Sequence, residues 1–521
     1  MKKRITVIVL AAALLLSLLI FPAQAGEYKL GDVNGDGEVT VKDVGILRLY
    51  LADKVDENAL HLNVGDIDGD GEITSRDVGM LRLYLADKIS IGEPAERIDL
   101  SSYTIVYPAS YTKYEMYAAQ LLQDYVEDAF GLQLPLSDDT AAETEYELLI
   151  GDTNRAASST DISLGSGEYL LKAVDKQIVL QGPGYMVGGA VGALTYQHMK
   201  NGKIIISNIS DTSIPAAYTP LPATGVVLMI GDGMGYNHIK SVEFYMEMDD
   251  ESWDGFTAKE LPNQGSVSTF CLQGDIAASG TFQKATTDSA ASATAMATGW
   301  KTYSTRLGVN FAGVPLLNVR EIANSLGYKT GILTTDGAFK ATPAAFTVHN
   351  TSRYEYDQIQ ADQQALLDGG NLTYLRGEAG EGLLDYTKEV LDTVSTDSDG
   401  FFVMIEEAYI DILSAPGNPT EDLIHAIARL DSAVEYAMTF AAAHPDTVLI
   451  VTADHETGNL DEYGILGNNG AHTMKDVPIF AMGAGTEIFH EQRIENNEIG
   501  QFIASVYGVE DFGGTYNNII E

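Results

Sequence analysis

VVLMIGDGMG, residues Val226–Gly235, is an apolar run that breaks abruptly into glycine, aspartate and glycine. The layout returns twice: Phe401–Ile405 runs into Glu406, and Val448–Val451 runs into Thr452, Ala453, Asp454 and His455. Near-continuous apolar runs mark parallel strands covered on both faces, and in open α/β sheets ligands bind beyond the carboxyl ends of such strands. One aspartate at a strand end is an ordinary turn residue. Three strands ending in carboxylates, one joined to histidine, predict a metal-holding crevice in an α/β domain at residues 224–521.

A nucleophile candidate lies in Thr286–Gly299, TTDSAASATAMATG. Its small residues allow a tightly packed helix with Ser289 at the N-terminus, where unpaired amides and the helix dipole favour a phosphate. Read alone, Ser289 is also an ordinary N-cap. A serine hydroxyl needs a base or a metal to become a good nucleophile. No histidine is near Ser289 in sequence, which points to a metal.

Together with GDGMG at Gly231–Gly235, ATPAAF at Ala341–Phe346, TSR at Thr351–Arg353, TADH at Thr452–His455 and the later His472–Thr473, this segment resembles the alkaline phosphatases over about residues 224–521. The resemblance implies a mixed, mostly parallel sheet between helices and a phosphomonoesterase that works through a phosphorylated Ser289. It makes Asp232, Asp454 and His455 the ligands of an activating zinc and Arg353 the clamp on two phosphate oxygens, which its planar fork suits. Asp411 and His472 match ligands of a second zinc that serves the attacking water. Asp232, Thr342 and Glu406 match a third, magnesium-type site. Two metals about 3.5–4 Å apart stabilise both the attacking and the leaving oxygen of an in-line displacement.

Two positions depart from the family pattern. Ala415 stands four residues after Asp411, where the family has a histidine, so the second site has lost one of its expected ligands. Ser414 or a carboxylate of Glu421 and Asp422 are the substitutes at hand, and the site otherwise binds weakly or stays empty; His425 reads as structural. Lys340 stands two residues before Thr342, where relatives have aspartate or histidine. Its ammonium repels a third divalent ion and offers positive charge toward the phosphate instead. The expectation is one or two zinc ions with magnesium weakened or replaced by Lys340. Because His472 follows His455 by only 17 positions, long insertions are lacking and an open crevice is expected.

N-terminal to this domain, residues 97–218 alternate apolar strands (103–107, 146–150, 169–172 and 177–180) with helical patterns at 114–130 and 185–199, a small α/β unit. Glu147–Arg155 weakly resembles the accessory α/β domain that precedes catalytic barrels in some carbohydrate-active enzymes. No acid/base pair or metal cluster stands out, which favours a structural or spacer role over carbohydrate binding. Residues 212–224, with prolines at 215, 220 and 222, read as a linker.

Self-comparison finds one duplication, Gly31–Val55 repeated as Gly65–Ile89. Oxygen donors fall at loop positions 1, 3, 5, 9 and 12: Asp32, Asn34, Asp36, Thr40 and Asp43, then Asp66, Asp68, Asp70, Thr74 and Asp77. Position 7 supplies a carbonyl from Glu38 or Glu72, and Gly37 and Gly71 make the turn; calcium fits such oxygen sets. Val44, Leu47 and Leu51, and in the second copy Val78, Leu81 and Leu85, form one apolar face of the helix that follows. Neither copy has a leading helix, and position 12 is aspartate. The pair, within residues 26–92, resembles a dockerin, which implies two Ca2+ ions and a cohesin partner on a scaffolding protein. Val41-Lys42 and Ser75-Arg76 would carry the partner preference.

Lys2, Lys3 and Arg4, an apolar run to Phe21 and then Ala23-Gln24-Ala25 form the layout of a signal peptide at residues 1–25. A secreted, extracellular and cellulosome-associated protein with no membrane span after cleavage is expected. The balance of 31 basic against 74 acidic residues, net −43, argues against nucleic acid as a partner. It also obliges any phosphate site to build its own positive field. One cysteine, Cys271, excludes an intramolecular disulfide and reads as a buried small residue. The leading expectation is a broad phosphomonoesterase near degraded plant material. The alternative is a catalytically weak phosphate binder, because Ala415 spoils the water-activating metal.

Overall fold

Valine, isoleucine and leucine fill the long strands, and every residue of Gly225–Gly231, Phe401–Glu407 and Thr447–Thr452 is buried. Strands of this composition are stable only between two covering layers. The computed structural model describes residues 28–520 apart from 53, 56–59, 62–63, 68–72, 87, 90, 92–96, 160–161, 207–208, 210–213, 250–254, 275–280, 419, 462, 468 and 515–518. The expected signal peptide, Asp68, Asp70 and Glu72 lie outside the described residues.

The central sheet has eight strands in the order 374–376, 329–334, 401–407, 225–231, 447–452, 477–482, 263–268 and 493–495. Neighbours pair in parallel except at Val477–Met482, which runs antiparallel to both of its neighbours. This part of the chain is thus an α/β fold with a mixed, mostly parallel sheet between helices, as expected from the sequence. Gly225–Gly231 is central, and its register pairs Ile230 with Glu406 on one side and Thr452 on the other. Asp232 and Asp454 therefore emerge side by side, each two residues beyond a paired position.

The middle unit forms a six-stranded sheet in the order 136–138, 104–107, 147–150, 177–181, 168–174 and 216–217, with helices Lys113–Phe130 and Val187–His198. Its apolar residues belong to the same buried cluster as the central sheet, a cluster that reaches from Ile98 to Tyr507. The join is close because the second helix carries glycine at 188 and 192, one turn apart. A methyl group added at Gly188 would stand 2.5 Å from the Thr439 carbonyl oxygen, and one at Gly192 would stand 2.8 Å from that of Ala443. The stretch expected as a linker is packed where it is described. Ala216–Ala217 extends the middle sheet, and the Leu221 and Thr224 amides donate to the carbonyls of Pro445 and Asp446.

The calcium-loop repeats have their own small core of Val33, Val44, Ile46, Leu47, Val64, Ile67, Val78 and Leu81, joined by Leu30. Leu51, expected on the apolar face, is 41% exposed, because the helix Val41–Tyr50 ends one residue before it; Ile46 is buried in addition. Among the described residues no helix is long and apolar enough to cross a membrane.

Replacing Gly188 or Gly192 by alanine will lower stability by about 1–3 kcal/mol through overpacking against helix Thr420–Ala443. Thermal unfolding of each variant checks this, and a wild-type Tm in both would show that the two helices tolerate separation.

Candidate active site and calcium-binding loops

Asp232, Asp454 and His455 come together beyond the carboxyl ends of the central strands, each offering a ligand atom within 4.8 Å of the others. His455 Nε2 lies 3.3 Å from Asp232 Oδ1 and 3.3 Å from Asp454 Oδ2. Asp454 is held from its other oxygen, Oδ1, which accepts from the amides of Gly233 at 3.0 Å and His455 at 2.9 Å. Gly233 has φ +78, and a Cβ there would meet Thr457 Oγ1 at 2.8 Å, so the turn requires glycine.

The histidine tautomer follows from its neighbours. Thr457 Oγ1 donates its proton to Asp411 Oδ1 and lies 3.1 Å from His455 Nδ1, so Nδ1 carries the imidazole proton and Thr457 accepts it. The lone pair of Nε2 then faces two carboxylate oxygens, Asp232 Oδ1 and Asp454 Oδ2, that are buried with no hydrogen-bond partner among the described residues. Burial lowers the His455 pKa, and burial together with the charges of Asp454, Asp411 and Glu406 raises that of Asp232 well above the ordinary range, against the pull of Arg353. Three electron-pair donors aimed at one point in a dry site are mutually repulsive, and a bound cation turns that cost into coordination. The residues present fit a zinc ion.

A second group, Asp411, His455 and His472, adjoins the first and shares its histidine. His472 Nδ1 donates to the Thr287 carbonyl at 2.9 Å, and its Nε2 stands 3.4 Å from Asp411 Oδ1. The His455 and His472 rings stack at 3.6 Å. Burial opposes charge on His472, but the hydrogen bond and charge of Asp411, the Thr287 carbonyl and the charge of Asp454 together outweigh it and raise the pKa to about 9. For Asp411, burial is overcome by the hydrogen bonds from His472 and Thr457 together with the charge of His472, which hold the carboxyl low. Ala415 offers nothing here, and Gly470 closes over it so tightly that a Cβ on that glycine would be 2.9 Å from Ala415 Cα. Ser414 is committed elsewhere: its hydroxyl donates to the Ile410 carbonyl and meets His238 Nε2 at 2.9 Å. Glu421 and His425 lie exposed on helix Thr420–Ala443, with their side chains 3.9 Å apart.

Ser289 is the first residue of helix Ser289–Thr298, with Asp288 as N-cap. Its Oγ lies 3.3 Å from His455 Nε2, so folding supplies the histidine that is absent from its sequence neighbourhood. The Asp288 carboxylate accepts from the amides of Ala291 and Thr305 and from Arg353 Nη1 at 3.2 Å. One carboxylate thereby fixes the helix that carries Ser289 and the candidate phosphate clamp Arg353. Cys271 is buried, with Sγ 3.3 Å from the Thr286 carbonyl, as expected of a packing residue.

Glu406 accepts a hydrogen bond from Thr334, and burial raises its pKa to about 7. Thr342 Oγ1 is buried beside Glu406, whose carboxylate it helps to stabilise, so the two expected third-site residues do come together. Next to Glu406, Glu407 forms a two-pronged pair with Arg429 at 2.7 and 2.9 Å. Lys340 directly precedes helix Ala341–Thr347, with Nζ 5.4 Å from the ring centroids of Phe339 and Tyr356. Thr457, Asp288, Ser292 and His238 were not singled out in the sequence. Only Asp288 carried a readable signal, since it directly precedes the serine in the motif.

In the first repeat Asp32 Oδ1 and Oδ2 accept from the amides of Asp36 and Gly37, and Asn34 Oδ1 accepts from Asp36. Asp36 Oδ1 accepts from the Glu38 amide. Thr40 caps the following helix, while Asp43 accepts from the Thr40 and Asn34 amides. In the second repeat Asp77 accepts from Ile67 and Thr74, and Asp66 is buried and ion-paired with Arg97. Asp32, Asp43, Asp66 and Asp77 are buried, while Asp36 is exposed and pairs with Lys42 at 3.2 Å; the donor spacing is that of calcium loops.

Comparison with known proteins gives a match to the alkaline phosphatase family over residues 223–376 and 371–469, and to the dockerin type I domain over residues 30–91. Alkaline phosphatase 4 of Bacillus subtilis is 27% identical over 343 residues, 54% of this chain and 70% of that protein. The alkaline phosphatase of Escherichia coli K12 is 25% identical over 401 residues, covering 56% of this chain and 84% of the relative. Among solved structures, the alkaline phosphatase from the Antarctic bacterium TAB5 aligns at 26% identity and a TM-score of 0.48, over 56% of this chain and 100% of that one.

Zinc at about 100-fold above its Kd will stabilise the metal-stripped full chain by about 2.7 kcal/mol, read as a rise in Tm. Asp454→Asn will remove most of that rise. An unchanged shift in this variant would place the ion elsewhere.

Proposed function

We propose, for a chain whose residues 223–469 belong to the alkaline phosphatase family and whose residues 30–91 are a dockerin type I domain, a secreted, metal-dependent phosphomonoesterase that acts through a phosphorylated Ser289. The observation that carries the reading is the 3.3 Å approach of Ser289 Oγ to His455 Nε2, beside the partnerless oxygens of Asp232 and Asp454. Phosphoric monoester hydrolysis is the activity of the family; the roles below are our assignment.

Asp232, Asp454 and His455 would hold zinc, which when bound supplies the positive charge that lowers the pKa of a serine hydroxyl. Asp411 and His472 are the donors for a second ion, and Asp232, Thr342 and Glu406 those for a magnesium-type third. The N-terminal amides of helix Ser289–Thr298 receive the phosphate anion, in a chain whose net charge of −43 repels it elsewhere. Arg353, oriented by Asp288, clamps two of its oxygens. Ser289 Oγ forms a bond to phosphorus as the ester oxygen departs. Water then replaces Ser289 Oγ at phosphorus, releasing inorganic phosphate and restoring the hydroxyl. Thr457 Oγ1 accepts a hydrogen bond from Nδ1–H of His455, which keeps the proton there and the Nε2 lone pair directed at the site. Lys340 adds positive charge at the third site. The dockerin, with one Ca2+ in each loop, tethers this activity to a cohesin on an extracellular scaffold.

Ala415 supports a second reading, a phosphate binder that takes up one phosphoryl group and releases it slowly. His455 belongs to both donor groups, so they cannot each have it as a third protein ligand for separate ions. A chromogenic phosphate ester distinguishes the two. The enzyme gives sustained turnover that chelation abolishes and zinc restores, while the binder gives one burst and a trapped phosphoserine. Ser289→Ala will reduce turnover by at least about 100-fold without loss of zinc; full activity in this folded variant would refute Ser289 as nucleophile. Lys340→Asp will increase activation by magnesium, and an unchanged magnesium response would remove Lys340 from the third site.

A further inference from the structure

Lys301 has no part in the chemistry above, yet it is 1% exposed. Burial lowers its pKa to about 7 despite the charges of Glu495 and Glu498. Its Nζ donates to Asn496 Oδ1 at 2.5 Å and to the Phe270 carbonyl at 3.2 Å, and stands 3.9 Å from the centroid of the Phe270 ring. Asn496, the fully buried first residue of helix Asn496–Val506, donates from Nδ2 to Ser292 Oγ at 2.8 Å. Ser292 in turn donates to the main-chain carbonyl of Asp454 at 2.5 Å.

We propose that Lys301, Asn496 and Ser292 form a one-way hydrogen-bond relay that positions the nucleophile helix against the peptide joining Asp454 to His455. The direction is forced by chemistry. Lys301 Nζ carries protons in either charge state and gives one to the Asn496 amide oxygen, which leaves the amide nitrogen to face Ser292. A hydroxyl has one proton, so Ser292, already receiving from Asn496, gives that proton to Asp454. Ser292 lies three residues after Ser289 on the same buried helix, and Asp454 and His455 are the residues its partner strand brings to the site. The relay therefore sets the separation between Ser289 Oγ and the donor cluster, where an error of about 1 Å can cost about 100-fold in rate. These are positioning residues: none touches the reacting atoms. The inference rests on the reading of Ser289 and the Asp232, Asp454, His455 cluster given above.

The test is Asn496→Asp in the full chain. The change is isosteric and gives Lys301 a carboxylate partner, so a purely structural role predicts unchanged turnover with equal or higher Tm. The relay predicts a different result, because a carboxylate draws the Ser292 proton away from Asp454. We expect Tm at or above wild type, kcat lower by about 10-fold or more with KM little changed, and a shifted visible spectrum of the cobalt-loaded protein. Ser292→Ala should give a similar loss, and the double variant should be no worse than the poorer single one. Wild-type kcat and cobalt spectrum in folded Asn496→Asp, or fully additive losses in the double variant, overturn the proposal. Should Asn496→Asp fail to fold, Ser292→Ala decides alone through the same kcat and cobalt readouts. Ser289→Ala separates the premise: it abolishes turnover and leaves the cobalt spectrum in place if the nucleophile is correctly assigned, whatever the relay does.

Discussion

Two carboxylate oxygens and an imidazole nitrogen 3.3 Å from each of them, brought together in a buried pocket, are an arrangement whose negative charge a folded chain must compensate. A divalent cation compensates it most directly. Much of the surrounding structure serves to hold those groups in place. The parallel register brings Asp232 and Asp454 out together, Gly233 makes the turn that lets its amide reach Asp454, and Thr457 fixes the tautomer of His455. Ser289 is seated beside this cluster by its helix, and the helix is seated by its N-cap Asp288.

The same economy of groups makes the second donor pair depend on the first. Thr457 links Asp411 to His455, and His472 stacks on the His455 ring, so no change at one pair leaves the other undisturbed. With Ala415 in place of an imidazole and Gly470 packed over it, the chain has committed its backbone to filling that space. Asp411 and His472 instead satisfy each other as an ion pair, with His472 charged up to about pH 9. This is the physical content of the choice between a turnover enzyme and a slow phosphate binder.

Beyond the site, the middle unit is built onto the catalytic fold by two glycines that let a helix approach Thr420–Ala443 at backbone distance. The two sheets consequently share one core. The N-terminal repeats, which match the dockerin type I domain, keep a separate, small core.

The sequence by itself determined the sheet's central strands, the calcium-loop repeats and the identity of the donors, because each of these is written in local pattern: apolar runs, fixed donor spacing, glycine at turns. It also located Ser289 at a helix start, since small residues and the preceding aspartate are neighbours in the chain. Tertiary structure alone decided that His455 stands beside Ser289, that Thr457 sets its tautomer, that Ser414 turns to His238 rather than to a metal, and that Lys301 reaches Asp454 through Asn496 and Ser292. These are contacts between residues far apart in sequence. Hydrogen-bond direction and burial come into being only when packing brings such residues together, and no periodicity along the chain records them.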